Sequence, residues 1–277
     1  MRVILIFVLM CGLLSADEPK RNWKNSTELA YLGSGGNAET TTFGIKNDYK
    51  YTFPKAEFTF KVEGMRASDT TTSRMAFGSV DNFNIQETED SQVKTERYSV
   101  GLKYERKISE KMFWFLGSDW EKDVPKGIKS RTDLTAGLGN HIIKNEETEF
   151  KINYGLAYTM RDHFIEPDGF DSSFGSFVLS TILMKKIGER SKLDQVFDYS
   201  MPLSETGDFR SKFTNSLTTT ISGSLAMKMS LGLFYENKPA FGEMKLYDHE
   251  GGSELGTVLY EKDELDYTFT ASLVINF

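Results

Sequence analysis

The sequence has very little cysteine and proline, and it has no long apolar segment beyond its N-terminus. The single cysteine, Cys11, lies in the apolar run near the start, so a chain that loses this run can form no internal disulfide. The rest of the chain has no stretch of 18 apolar residues, which excludes a transmembrane helix. Six prolines stand beside 23 glycines and 13% aromatic residues. This composition is typical of many strands joined by tight turns.

Basic residues are outnumbered by acidic ones. The chain has 33 Lys and Arg against 40 Asp and Glu, a net charge of −7, and loss of Arg2 with the N-terminal run leaves 32 against 40, or −8. An acidic protein is a poor partner for nucleic acid phosphates, so we expect no nucleic acid ligand. The mean hydropathy of −0.39 is typical of a soluble protein. A membrane barrel has the same average, because only every second strand residue faces lipid.

The N-terminus has the order of a secretory signal. Arg2 precedes an apolar run over residues 3–14, and the small residues Ser15 and Ala16 precede a charged stretch, as signal peptides require. The run is too short to cross a bilayer as a helix. We predict a cleaved signal peptide over residues 1–16 and a mature domain over 17–277. A lipoprotein anchored at Cys11 is a minor alternative, because Met10 stands where such a signal carries a small residue.

The last twelve residues alternate between two faces and end on an aromatic residue. Successive strand side chains point to opposite sides, so Tyr267, Phe269 and Leu273 share one face while Asp266 lies on the other. This pattern fits a wall with lipid outside and water inside. A closing strand that ends in Phe277 resembles the assembly signal read by the outer-membrane barrel assembly machinery of Gram-negative bacteria. A soluble antiparallel sheet would alternate too.

Twelve segments of the mature chain have roughly the length of outer-membrane strands, about 9 to 11 residues within the membrane. Two of them, 112–121 and 173–185, are partly apolar on both faces and do not reveal their inward side. The predicted strands are 25–33, 39–53, 55–67, 94–106, 112–121, 129–141, 148–161, 173–185, 191–201, 210–222, 227–236 and 265–277.

The predicted connections differ in length between the two ends of these strands. With the N-terminus in the periplasm, the inner connections are short turns, whereas the outer ones include residues 67–93 and 237–264, which are long, polar and acidic. Outer-membrane barrels have this asymmetry, and a soluble sheet has no reason for it. The sequence therefore predicts an all-β, transmembrane, antiparallel up-and-down β-barrel of twelve strands, closed by pairing of the last strand with residues 25–33.

Charged residues of both signs fall on the predicted inner face, as expected if the other face meets hydrocarbon. Balanced charge fits either a narrow hydrated pore of modest selectivity or a lumen closed by salt bridges. About eight strands enclose a filled interior and 16 to 18 an open channel; at twelve strands we favour the pore. The predicted lumen-lining residues are Lys61, Glu63, Arg97, Lys103, Glu105, Arg131, Asp133, Lys151, Arg161, Lys192, Asp194, Asp198 and Lys212.

An enzymatic site has little support. His163 near Glu166 and Asp168, and His249 in another acidic segment, lie in predicted outer loops where a lipid-modifying enzyme would carry its site. A nucleophilic site needs a Ser activated by such a His, and a His in a solvated acidic loop is the simpler interpretation. We predict no catalytic residue, no cofactor and no metal site. The acidic loops could still share divalent cations with lipopolysaccharide phosphates, although no calcium-loop spacing occurs.

Several short motifs resemble the YdiY-type family of salt-induced outer membrane proteins, domain of unknown function 481. Asn140 departs from the Tyr that the family tends to carry, and residues 241–255 look inserted. The resemblance implies a barrel in the outer membrane and brings no catalytic residues and no established substrate. The matching motifs are Trp23, ELAY at 28–31, GGNAETTT at 35–42, GLG at 137–139, SLGLFY at 230–235 and LVINF at 273–277.

The resulting hypothesis is a narrow passive pore for ions or small solutes in a Gram-negative outer membrane. A plugged structural barrel is the alternative, and a lipid-modifying enzyme is a weaker one. The expected partners are outer-membrane lipid, lipopolysaccharide and the barrel assembly machinery, while the solute and the oligomeric state stay open. Aromatic residues expected in the interfacial girdles are Tyr49, Tyr51, Trp114, Trp120, Tyr235 and Tyr267.

Overall fold

The computed structural model describes residues 22–34, 38–79, 82–166, 170–247 and 253–277. The predicted signal peptide lies outside these residues. No helix in the described ranges has the length and apolar character needed to span a membrane. The strands are β1 (Trp23–Ser34), β2 (Ala38–Thr52), β3 (Ala56–Ser79), β4 (Asn82–Lys107), β5 (Met112–Asp123), β6 (Ile128–Lys144), β7 (Thr148–His163), β8 (Ser173–Ile187), β9 (Ser191–Pro202), β10 (Arg210–Ser222), β11 (Leu225–Glu236), β12 (Phe241–Tyr247), β13 (Glu254–Glu261) and β14 (Leu265–Asn276).

Twelve of these strands form one closed antiparallel barrel, in the order β1-β14-β11-β10-β9-β8-β7-β6-β5-β4-β3-β2. The barrel closes where β1 pairs with β14, with Ser26 opposite Asn276 and Leu29 opposite Leu273. Closure leaves no unpaired strand edge, which is the requirement for a sheet that crosses lipid. The predicted twelve-stranded barrel and its seam are confirmed.

One predicted loop is wrong, and another predicted connection contains strands that were not predicted. Residues 67–93 are not a loop, because β3 and β4 continue their pairing from Ser68 opposite Val93 to Ser79 opposite Asn82. The polar composition suggested a loop, but β-branched threonines at 70–72 favour strand as well. Residues 237–264 contain the separate two-stranded hairpin β12–β13. The inner turns are short as predicted, spanning 53–55, 108–111, 145–147, 188–190 and 223–224.

The barrel has an apolar outside and a polar inside. On the outer face, Tyr267 is 77% exposed and Leu156 59%, whereas the neighbouring inward residues Thr159 and Asn153 are 0% and 3% exposed. A water-soluble protein buries its apolar residues instead, so this exterior requires lipid around it. The barrel therefore spans a membrane. We call the end of the barrel that carries residues 124–127, 203–209 and 237–264 its outer end.

Candidate functional site

The interior of the barrel is crossed by ion pairs between strands that are far apart in the sheet. Arg131 of β6 donates to Glu236 of β11 from Nη1 at 2.9 Å and from Nη2 at 2.8 Å, although four strands separate β6 from β11 on the shorter path around the wall. Nη1 of Arg131 also reaches Glu121 at 3.1 Å. The arginine is buried, so these carboxylates hold its charge in place.

A second ion pair crosses beside the first. Arg210 of β10 donates to Asp133 of β6 at 2.6 Å, and the Thr159 hydroxyl donates to the other oxygen of Asp133 at 2.5 Å. Close to it, Arg161 pairs with Asp208 at 3.0 Å. These contacts fill the side of the outer half that is bounded by β6 to β10.

Lower in the barrel, one carboxylate joins two lysines. Glu105 of β4 lies 2.9 Å from Nζ of Lys103 and 3.0 Å from Nζ of Lys151 on β7. The two ammonium groups also stand over the inward rings of Phe115 and Phe113, at 4.5 Å and 5.2 Å from the ring centres. Cation–π contact adds to these ion pairs. The partly ambiguous strand β5 thus turns its odd-numbered aromatic residues inward.

Phe234 of β11 is the aromatic residue on which side chains from opposite walls converge. Lys126 from the β5–β6 turn lies 4.0 Å from the ring centre, Lys212 of β10 5.0 Å and Arg97 of β4 5.5 Å. Arg97 is also paired with the buried Asp123 at 2.6 Å. Burial lowers the pKa of the Lys126 ammonium group, although nearby carboxylates oppose this shift. Phe234 therefore narrows the lumen near its outer end.

The connection 237–264, which we call the strap, reaches across the outer mouth. Its Lys262 donates from Nζ to the Pro125 carbonyl at 2.9 Å, on the β5–β6 turn of the opposite wall. Ala240 packs on Gly127 so closely that a Cβ at Gly127 would lie 2.9 Å from the Ala240 Cβ. Gly127 also has φ +77°, which disfavours other residues.

Beneath the strap lies a cavity of about 260 Å³. The ring of Phe234 forms part of its wall, so the cavity lies between the strap and the narrow point of the lumen. Its other charged and aromatic lining residues include Lys126, Tyr260, Lys262 and Asp266.

Another part of the interior is open and charged. Lys61 of β3 and Asp119 of β5 are exposed although they flank the inward position Gly101. Lys192 is 48% exposed while it pairs with Asp194 at 2.8 Å. Lys228 pairs with Glu28 at 2.5 Å. Since Lys61, Asp119 and Lys192 lie within the closed sheet, their exposure means that water reaches the interior.

The structure brings some of the predicted lumen residues together and leaves others apart. Contacting groups form around Glu105, around Asp133 and around Asp194, as described above. Lys61, Glu63 and Asp198 make no ion pair with another described residue, and Lys212 contacts the Phe234 ring. The residues missed by sequence reasoning are Asp119, Glu121, Asp123, Lys126, Arg210 and Phe234. The alternation that placed Lys212 inward also applies to Arg210 on the same strand.

Of the two histidine-based candidates, the described residues include only His163 with Glu166, whose carboxylate accepts a hydrogen bond from the His163 backbone amide at 3.2 Å. His163 is the last residue of β7 rather than a loop residue, and its buried ring packs 4.6 Å from the ring of Phe170. His141 lies 3.3 Å from Glu149, whereas His249 and Asp168 lie outside the described residues. Among the residues whose placement is described, no three His, Cys, Asp or Glu side chains form a potential metal site.

Comparisons with known proteins give one family match and several distant structural similarities. The family model described as "Protein of unknown function, DUF481" matches residues 27–277, and no curated protein matches significantly. A NanC porin structure aligns over 91% of this chain and 98% of its own, with TM-score 0.47 and 10% identity. A KdgM porin in complex with disordered oligogalacturonate aligns over 92% and 99%, with TM-score 0.43 and 7% identity. An anion-selective porin from Comamonas acidovorans aligns over 92% and 98%, with TM-score 0.39 and 9% identity. At these values the similarity carries no information about transport.

Proposed function

We propose that this chain, which belongs to the DUF481 family of proteins of unknown function, forms a narrow passive pore. The proposal rests on the residues inside the barrel. The pore would serve ions or small solutes in the outer membrane of a Gram-negative bacterium. The observation that carries the proposal is the exposed charge of Lys61, Asp119 and Lys192 inside the closed barrel. Charged groups that keep their water provide a polar path through a membrane.

Three features together support the proposed location. The exterior is apolar, the N-terminal run has the order of a secretory signal, and Phe277 directly follows the seam strand β14. Phe277 is exposed, and its backbone amide donates to the Asn25 carbonyl at 2.9 Å, so the terminal residue is part of the barrel closure. These features support an exported barrel of the outer-membrane type.

The contacts across the lumen favour a second candidate, a plugged structural barrel. Arg131 with Glu236, and Phe234 with Lys126, join opposite walls, and the strap lies over the mouth. These contacts leave room for a pore only beside them, toward the wall that carries Lys61. The two candidates differ in whether this remaining space is continuous.

Conductance measurements separate them. The mature barrel is refolded into planar bilayers and its conductance is compared with that of Phe234→Ala. Phe269→Ala is the matched control, because the Phe269 ring on the neighbouring strand β14 is 62% exposed to the outside. We expect small, stable conductance steps for the wild type, larger steps for Phe234→Ala and unchanged steps for Phe269→Ala. If the wild-type barrel shows no conductance in a panel of salts and small solutes, it is the plugged barrel. This conclusion holds whether or not Phe234→Ala conducts.

A further inference from the structure

Basic residues face outward near the outer end of three strands on one side of the barrel. Arg66 lies on β3, Lys122 on β5 and Lys129 on β6. Arg97 and Asp123 pair inside the barrel, so Glu96 and Lys122, which adjoin them, face the outside and pair with each other at 3.0 Å. Arg66 lies opposite Glu96 in the β3–β4 register. We call Arg66, Lys122 and Lys129 the basic patch.

Two β-sheet features place Lys129 in this patch. The β6–β7 register shifts between Ile128 and Ser130, which leaves Lys129 as the extra residue of a bulge. Bulges redirect side chains, and Lys129 is exposed while Ile128 is fully buried. The next residue, Ser130, accepts a hydrogen bond from the Trp120 indole at 3.0 Å.

Aromatic residues directly below the basic patch mark its depth in the membrane. Tyr98 lies opposite Lys122 in the β4–β5 register, and its hydroxyl donates toward Glu96 at 3.3 Å. Trp120 likewise directs its N–H toward the outer end. Below them, Leu102 and Leu116 are exposed to the outside. Tyr and Trp belts lie at the level of lipid headgroups, so the basic patch stands at the phosphate level of the outer leaflet.

The charge of the basic patch is only partly neutralised. Glu96 is occupied by Lys122, while neither Arg66 nor Lys129 forms an ion pair with a described residue. Three outward positions at the corresponding level of other described strands are not basic: Asp162 on β7, Met201 on β9 and Tyr235 on β11. The basic patch is thus not repeated on those three strands. Four adjacent strands span roughly 15 Å, which is wide enough for more than one phosphate group.

From this placement we infer that the basic patch binds the phosphate groups of an outer-leaflet lipid, the phosphorylated lipid A headgroup of lipopolysaccharide. Arg recognises phosphate through paired N–H donors and Lys through its point charge. A free phosphate ion would use the same groups, but the girdle beneath the patch places them where lipid phosphates are concentrated. The inference concerns the outer wall and does not depend on whether the lumen conducts.

The test uses the full barrel, purified in detergent and titrated with bisphosphorylated lipid A, with the dephosphorylated form of that lipid, and with inorganic phosphate. The variant carries Arg66→Gln and Lys129→Gln. The matched control carries Lys111→Gln and Arg190→Gln, one lysine and one arginine that are exposed in inner turns. Heat-modifiable gel migration establishes that each protein is folded.

We expect the variant to bind bisphosphorylated lipid A about tenfold or more weakly than wild type, since each basic residue contributes at an anionic surface. The control should bind like the wild type, and dephosphorylated lipid A should bind all three proteins equally. Unchanged binding by the variant, or an equal loss in the control, would overturn the inference. Displacement of the lipid by millimolar inorganic phosphate would also overturn it, because the site would then be one for the free anion.

Discussion

The ion pair across the lumen makes the strongest prediction about stability. Glu236→Gln removes the carboxylate that receives two hydrogen bonds from the buried Arg131, and leaves the arginine with Glu121 at 3.1 Å. Breaking one partner of a buried pair costs about 3 to 5 kcal/mol. Because Glu121 remains and the interior admits some water, we expect about 3 kcal/mol, or a lowering of the melting temperature by roughly 6 to 12 °C.

The assay is unfolding of the barrel in lipid vesicles or micelles, followed by heat-modifiable migration and by tryptophan fluorescence. Glu205→Gln is the control, since Glu205 pairs with Lys238 at an exposed position where both side chains are more than half exposed, and such pairs contribute about 0 to 1 kcal/mol. A double variant with Met at both 131 and 236 should recover most of the lost stability. If Glu236→Gln unfolds like Glu205→Gln, the walls are not joined through Arg131.

Further predictions concern the strap, the terminus and the histidines. Gly127→Ala should release the strap, and protease should then cleave faster within 237–264. The control is Gly188→Ala, which has a similar φ of +63° and no atom within 4 Å of the added Cβ, and it should leave cleavage unchanged. Equal cleavage in both variants would mean that strap docking does not depend on the contact at Gly127. Deletion of Phe277 should lower the outer-membrane level of the protein far more than the loss of one exposed ring explains, and a normal level in membrane fractions would contradict its role in assembly. His163→Ala and His249→Ala should leave lipid A and phospholipid turnover in cells unchanged, and a loss in either variant would restore the enzyme hypothesis.

Much of the barrel was predictable because a membrane imposes a simple rule on a strand. Lipid on one side and water on the other require a period of two, and the closing strand shows this from Asp266 to the terminus. The same rule placed Lys212 inward. It failed for β5, where Phe113 and Phe115 pack under lysine ammonium groups inside the barrel, since an apolar inward residue looks like a lipid-facing one.

The sequence was sufficient for the number of barrel strands and for their seam, because these depend on local alternation and on the spacing of turns. The partners across the lumen were not predictable. Whether Arg131 meets Glu236, or Lys126 reaches Phe234, depends on the stagger and curvature of the closed sheet, which no single segment encodes. The docking of the strap was missed for the same reason: its contact with Gly127 forms only when the closed sheet brings the two opposite walls within reach.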